Sequence, residues 1–362
     1  MIQPDFSDWL SLSPYSMSAS EKRRALGLAL AELTHWHQEQ CAEYRSILEL
    51  TGWAGSPMEC LEDIPFIPVR LFKELELLSI SGDQVFKTMT SSGTSGQNVS
   101  RIFLDRTTAA FQTKVLTRLM SEVLGKKRLA MLVIDSPAVL RDRLAFSARG
   151  AGILGFSMFG RDVTYALDES MKLDLLGVEA FLQRHDSEPI FLFGFTFMIW
   201  MHFCQELHSR GINLPIERGI LLHGGGWKKL QDQAVSNEQF RQVIAETTGI
   251  ESVINYYGMV EQTGSIYLEC DYGHLHAPIF SDIIIRDPID FHPVDFGETG
   301  LIETLSLMPI SYPGHALLTE DIGTIKGEDD CPCGRLGKYF TVTGRLPKAE
   351  ARGCSDTYEK HS

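Results

Sequence analysis

The chain has 362 residues, of which 44% are hydrophobic and 22% charged, and a formal net charge of -14. That length supports one large buried core or two smaller ones, and the composition excludes a globally disordered chain. The acidic balance, with the basic runs Lys22–Arg24 and Lys126–Arg128 isolated from each other, speaks against nucleic acid as a partner.

The N-terminal MIQPDFSDWL has neither a basic nor an apolar signal region, and no later run approaches the ~20 apolar residues of a membrane span. A cytoplasmic protein without a membrane span is expected. Cysteines at 41, 60, 204, 270, 331, 333 and 354 are odd in number and widely spread, so reduced thiols are expected rather than a disulfide framework.

Between Ala19 and Thr51 apolar residues recur at helical spacing (Leu26, Leu28, Leu30, Leu33, then Cys41, Tyr44, Ile47, Leu48), which predicts one or two amphipathic helices. The two prolines in Ile64–Arg70 predict an extended connector. Val85–Thr88 reads as a strand leading into Thr90-Ser91-Ser92-Gly93-Thr94-Ser95-Gly96. Further on, Leu129–Ile134, Ile190–Gly194, Gly219–Leu222 and Ser252–Tyr256 read as buried parallel strands alternating with helices. From Ser265 the pattern changes to strands joined by short turns (Ile266–Leu268, Asp282–Arg286, Leu301–Leu307, Ala316–Leu318), which predicts a β-rich, partly antiparallel section. The apolar run Phe191–Trp200 suits either a buried strand entering a helix or the wall of an acyl tunnel.

The loop from Thr90 to Gly96 is the first candidate for chemistry. Its glycines permit a tight turn whose N–H groups and hydroxyls can surround phosphate oxygens, although Ser/Gly clusters also form ordinary surface turns. No Gly-Lys-Ser/Thr follows, so it is not a Walker A loop.

Ser92-Gly93-Thr94-Ser95-Gly96 resembles the phosphate loop of the adenylate-forming superfamily. Tyr256-Tyr257-Gly258-Met259-Val260-Glu261 resembles that superfamily's aromatic-Gly-x-x-Glu segment, Thr319-Glu320-Asp321 its ribose-binding segment, and Gly344-Arg345 its hinge. Over nearly the whole chain the sequence is similar to the acyl-protein synthetase component of bacterial bioluminescence fatty-acid reductase complexes, with phenylacetate-CoA ligases more distant. Local signatures are Pro65–Pro68, Ala151–Ser157, Gly273–Pro278 and Arg352–Asp356.

The resemblance implies an α/β fold: a large N-terminal adenylation domain with mixed sheets flanked by helices, a β-rich C-terminal subdomain, and a lid domain largely absent. Expected boundaries are 1–264 for the α/β core, 265–345 for the β-rich part and 346–362 for a tail carrying Cys354. It also implies ATP and Mg2+ as cofactors. Thr90 to Gly96 would hold phosphate, Gly224, Gly225 and Gly226 would run along adenine, and Tyr256, Tyr257 and Gly258 would bind the base. Glu261 would hold magnesium and Asp321 the ribose hydroxyls, and Arg345 of the hinge is a further nucleotide-binding candidate.

The implied activity is activation of a carboxylic, long-chain fatty acid as acyl-AMP. The acyl group then passes to Cys354 and on to an acyl-accepting protein such as a reductase. Cys354 sits among Arg352, Gly353, Ser355 and Asp356, a polar setting suited to an exposed thiol whose pKa Arg352 would lower, whereas free cysteine is more often a small buried residue. Acyl- or aryl-CoA ligation, and a non-catalytic acyl- or nucleotide-binding component, are the alternatives. Two departures from the superfamily stand out: Asn98-Val99 replaces a Pro-Lys after the loop, and no lid lysine is assignable. Finally, Cys270, His276, Cys331 and Cys333 are four ligands of the kinds that suit tetrahedral Zn2+, or else reduced thiols and a polar histidine in turns.

Overall fold

A computed structural model describes residues 2–53, 58, 60–91, 99–140, 148–227 and 234–346. Among the described residues, the chain builds one compact unit up to Met120, a second from Ser121 to Tyr257, and returns to the first from Gly258.

Helix α1 (Ala19–Gln40) starts where the Ser18 N–H donates to Glu21 Oε2 at 3.0 Å, a capping-box contact that satisfies an otherwise orphaned donor. Leu26, Leu30, Leu33 and His37 recur every three or four residues and are buried, whereas Leu28, on the opposite side, is 72% exposed. Extended backbone at Cys41 ends α1, and α2 (Ala42–Leu50) buries Tyr44 and Leu48.

The connector expected at 64–70 is partly paired: β1 (Ile67–Pro68) lies parallel to Leu317 and Leu318. Pro68 carries no N–H, so pairing stops there and the chain enters a 3-10 helix, Val69–Lys73. Strands β2 (Lys87–Thr90) and β3 (Arg101–Leu104) form an antiparallel ribbon. The strand begins two residues later than expected because Val85 still closes the 3-10 turn Gly82–Gln84. Helix α3 (Arg106–Leu124) follows Asp105, whose Oδ1 accepts the Thr108 N–H at 2.7 Å.

The second unit is a parallel sheet with helical crossovers. Its elements are β4 (Leu129–Val133), α4 (Ala148–Ser157), β5 (Gly160–Tyr165), α5 (Leu175–Arg184), β6 (Ile190–Phe195), α6 (Thr196–Ile199), a π-helical turn Trp200–Cys204, α7 (Gln205–Ser209), β7 (Gly219–Gly224), α8 (Asn237–Thr248) and β8 (Ser252–Gly258). The order is β5-β4-β6-β7-β8. Strands covered on both faces explain the continuous apolar runs LAMLV and IFLFGF. In Phe191–Trp200, Leu192, Met198 and Ile199 are wholly buried in the unit's core, so this run is packing at those positions.

Back in the first unit, β9 (Ile266–Glu269), β10 (Leu275–His276), β11 (Ser281–Arg286), β12 (Thr299–Ser306), β13 (Ala316–Glu328) and β14 (Lys338–Arg345) form the expected antiparallel section, ordered β11-β12-β13-β14-β10-β9. β13 runs ten residues beyond Leu318. Its bulges at Ile322/Gly323 and Ile325/Gly327 break the alternation by which a strand is recognised. A Cβ at Gly323 would lie 2.6 Å from the Thr341 carbonyl oxygen, so only glycine fits there.

Buried charge ties α1 to this sheet. Asp282 lies 3.6 Å from Lys22 Nζ and 3.8 Å from Lys338 Nζ, and those ammonium groups also donate to the carbonyls of Ala277 and Ile283. Burial would raise the Asp282 pKa, but the two cations hold it below the ordinary value. Among the described residues no helix is long and apolar enough to cross a membrane.

Candidate active site

The loop between β2 and β3 is the expected phosphate cradle. Ser92, Gly93, Thr94, Ser95 and Gly96 lie outside the described residues, but the loop's stem does not. Ser91 N–H donates to the Ser100 carbonyl at 3.1 Å, and Ser100 N–H donates to Ser91 Oγ at 2.9 Å. The Ser91 hydroxyl thus helps to close the stem, one pair beyond Thr90 and Arg101.

Glu261 sits in the short helix Val260–Gln262 and is 5% exposed. Its backbone is clamped: the Tyr312 hydroxyl donates to the Glu261 carbonyl at 2.8 Å, and Gln262 Nε2 donates to the carbonyls of Gly314 at 2.8 Å and Thr304 at 3.1 Å. Gly314 has to be glycine, since a Cβ there would lie 2.4 Å from the Tyr312 ring and 3.1 Å from the Glu261 carbonyl. Burial raises the Glu261 pKa, while the Ser100 hydroxyl and the Lys73 and Arg345 cations oppose it. A carboxylate in that balance gains from a further cation, and a divalent ion with oxygen ligands fits it.

Thr319-Glu320-Asp321 lies within β13. Asp321 is in register with Arg345, whose Nε is 3.3 Å from Asp321 Oδ1 and whose Nη2 is 3.7 Å from Glu320. Thr319 Oγ1 accepts the Asp321 N–H at 3.1 Å and donates to the Ile302 carbonyl at 2.7 Å, which fixes the carboxylate's backbone. Asp321 and Arg345 therefore form one polar pair, with Arg70 reaching Glu320 at 3.1 Å.

In the second unit, β7 ends at Gly224 opposite Tyr256 of β8. A Cβ at Gly224 would lie 2.6 Å from the Tyr256 ring, and Gly225 has φ +80°, so both positions require glycine, whereas Gly226 is surrounded by open space. His223 is buried, and its pKa is pushed down to about 3 by burial. It shares a hydrogen bond of 2.9 Å with Thr196, whose hydroxyl also lies 3.2 Å from the Gly224 carbonyl. Tyr256 packs against Phe156 and Phe193, with ring centroids 5.1 and 6.4 Å apart. Tyr257 is half-buried on the opposite face of β8, as alternation along a strand requires, and Gly258 ends the strand exposed.

The four sulfur and imidazole residues converge. Ligand atoms of Cys270, His276, Cys331 and Cys333 all lie within 4.8 Å of one another. Cys270 Sγ to Cys331 Sγ is 3.9 Å, and Cys333 Sγ to His276 Nε2 is 3.3 Å. Tetrahedral zinc with ~2.3 Å sulfur and ~2.0 Å nitrogen bonds has edges of roughly 3.8 and 3.5 Å, so the donor set fits. Two turns supply it: Gly273, at φ +76°, closes the β9–β10 turn, and Gly334, at φ +80°, closes the turn after Cys333. Burial pushes the Cys331 thiol up to about 12 and His276 down to about 3, so the imidazole is held neutral, as a ligand must be, and a bound cation would favour the Cys331 thiolate. His274, 3.6 Å from Cys331 Sγ, borders the cluster. Cys354 lies outside the described residues.

Lys73, Ser100, Gln262 and Tyr312 were not legible as site residues. Their only local signal is a pair of cations three residues apart after Pro68, and their partners are remote in sequence.

The family model for the acyl-protein synthetase, LuxE, matches residues 5–361. The chain belongs to that family. It is 25% identical over 359 residues to a long-chain-fatty-acid–luciferin-component ligase of Vibrio harveyi, an alignment covering 95% of this chain and 89% of the relative. A ligase of the same description from Aliivibrio fischeri is 22% identical, covering 94% and 90%. Among solved structures, 2-hydroxyisobutyryl-CoA ligase in an open conformation, in complex with 2-HIB-AMP and CoA, superimposes with a TM-score of 0.71 at 16% identity, covering 95% of this chain and 80% of that one. The fold is that of adenylate-forming ligases, and membership of the acyl-protein synthetases makes the chain an AMP-forming ligase that activates an acid and passes its acyl group on.

Proposed function

We propose that the acid is a long-chain fatty acid, that ATP with Mg2+ converts it to acyl-AMP, and that Cys354 then takes the acyl group as a thioester for delivery to a partner protein such as an acyl reductase. The observation that carries this reading lies in the first unit: Glu261 is buried with its backbone clamped by Tyr312 and Gln262, in the unit that also holds the stem of the Ser/Thr/Gly loop. The names of the bacterial relatives supply the acid class.

In this reading the loop N–H groups and hydroxyls orient the triphosphate, and Asp321 accepts the ribose hydroxyls while Arg345 holds its carboxylate in place. Tyr257 stacks on adenine. Glu261 would hold the magnesium, which neutralises phosphate charge. The acid's carboxylate attacks the α-phosphorus and pyrophosphate leaves. The Cys354 thiolate then attacks the acyl carbon of the mixed anhydride, forming the C–S bond as AMP departs. Cys270, His276, Cys331 and Cys333 would hold a structural zinc away from this chemistry.

Incubation with ATP, magnesium and labelled palmitate is expected to give a hydroxylamine-labile acyl-protein in the wild type and less than about a tenth of that label in Cys354→Ser. Equal labelling of the variant would overturn the role of Cys354. Release of palmitoyl-CoA with coenzyme A, and no labelled protein, would make coenzyme A the acceptor instead.

A further inference from the structure

Two cations on the short helix after β1 have no part in the reaction described so far. Arg70 and Lys73 are one 3-10 turn apart in Val69–Lys73, and because that helix repeats every three residues they project from the same face. Three contacts fix where the helix sits: Ile67 and Pro68 pair with Leu317 and Leu318, Phe72 packs edge-on against Tyr312 with ring centroids 5.9 Å apart, and Arg70 reaches Glu320 at 3.1 Å. Tyr312 is the residue whose hydroxyl holds the Glu261 carbonyl, and Glu320 adjoins Asp321. The helix is therefore gripped on either side by the segments that place Glu261 and Asp321.

Lys73 is half-buried, its helix packs against β3, which begins one residue after Ser100 at the stem of the phosphate loop, and its charge helps to offset the burial of the Glu261 carboxylate. The helix that carries this ammonium thus borders both the tyrosine that holds Glu261 and the strand at the base of an anion-binding loop. A triphosphate brought there adds several negative charges to that of Glu261, and in a partly desolvated site each needs a fixed counter-charge.

Resting on the adenylation reading above, we propose that Lys73 is a catalytic residue of the first half-reaction, its ammonium binding phosphoryl oxygens of ATP and stabilising the negative charge that builds on them. The acid's carboxylate oxygen forms a bond to the α-phosphorus while the bond from that phosphorus to the bridging oxygen breaks, and its electron pair leaves with pyrophosphate. No proton is transferred in this step. Arg70, held by Glu320, is not asked to move.

The test is acid-dependent exchange of labelled pyrophosphate into ATP by the full chain, with palmitate as the acid, for wild type, Lys73→Met and Lys73→Arg. Lys73→Met is expected to lower the exchange rate about 100-fold at saturating ATP, the scale of removing one preorganised charge stabiliser, with a thermal midpoint within ~3 °C of wild type. Lys73→Arg, which keeps the charge and refolds the same helix, is expected to recover at least about tenfold over Lys73→Met. Exchange within about threefold of wild type in Lys73→Met, or an equal loss in both variants, would overturn the role of Lys73 and leave adenylation standing. Absence of exchange in the wild type with palmitate and with a panel of shorter and aromatic acids would instead bring down the adenylation reading, and the role of Lys73 with it.

Discussion

Glu261 shows how a single side chain depends on distant parts of the chain. Its carboxylate is buried, its carbonyl is held by Tyr312, and its helical turn is pinned by the amide of Gln262. A glutamine of the same shape would keep those backbone contacts and lose only the negative charge. Glu261→Gln is therefore expected to fold normally, to need about tenfold or more magnesium for half-maximal pyrophosphate exchange, and to lose about 100-fold in rate. Unchanged magnesium dependence would show that this carboxylate holds no metal. The residue itself was legible, because an aromatic-Gly-x-x-Glu segment is written in consecutive letters. Its clamp was not: Tyr312 lies 51 residues further on, and nothing in that stretch marks a tyrosine as the partner of a remote carbonyl.

At the scale of elements, two hairpin turns bring the sulfur ligands together. The β9–β10 turn supplies Cys270 and leads to His276, while the chain between β13 and β14 supplies Cys331 and Cys333. β10 pairs with β14 through Leu275 and Phe340, so a metal at the turns would staple the same two hairpins that the ladder joins. Purified protein is expected to contain about one equivalent of zinc. Cys333→Ser is expected to lose it and to melt about 5–10 °C lower. Zinc below about a tenth of an equivalent in the wild type would leave reduced thiols as the answer. The parallel strands were legible as elements because strands buried on both faces read as unbroken apolar runs, as at Leu129–Val133 and Ile190–Phe195. β5 escaped notice because Gly160–Tyr165 is largely polar and exposed at the sheet's edge, and most of β13 escaped because its bulges break the alternation.

At the scale of the whole molecule, stability carries a pH signature. His315 is buried against Thr34, with Nε2 2.9 Å from its hydroxyl, and stacks on His37 with ring centroids 4.9 Å apart. Burial pushes its pKa down to about 3, so the folded chain binds fewer protons than the unfolded one between there and the unperturbed value of ~6.5. The stability this histidine contributes is complete above ~6.5 and is lost as the pH falls towards 3. Between pH 7.5 and pH 5 the wild type is expected to lose about 2 kcal/mol more than His315→Gln, measured by chemical denaturation. Equal losses would show that the imidazole is already protonated, or exposed, in the folded state.

The excursion of the chain out of the first unit and back also has a cost in time. Ile67 waits for Leu317, its partner in the sheet 250 positions further on, a delay of about 12 to 50 s at ordinary ribosomal rates. The described part of the second unit is contiguous and can collapse as soon as it emerges, whereas the cluster that buries Tyr44 and Leu48 of α2 is completed only when Tyr312 and Leu317 arrive. The nascent chain thus presents the apolar residues of α2 long before their partners exist.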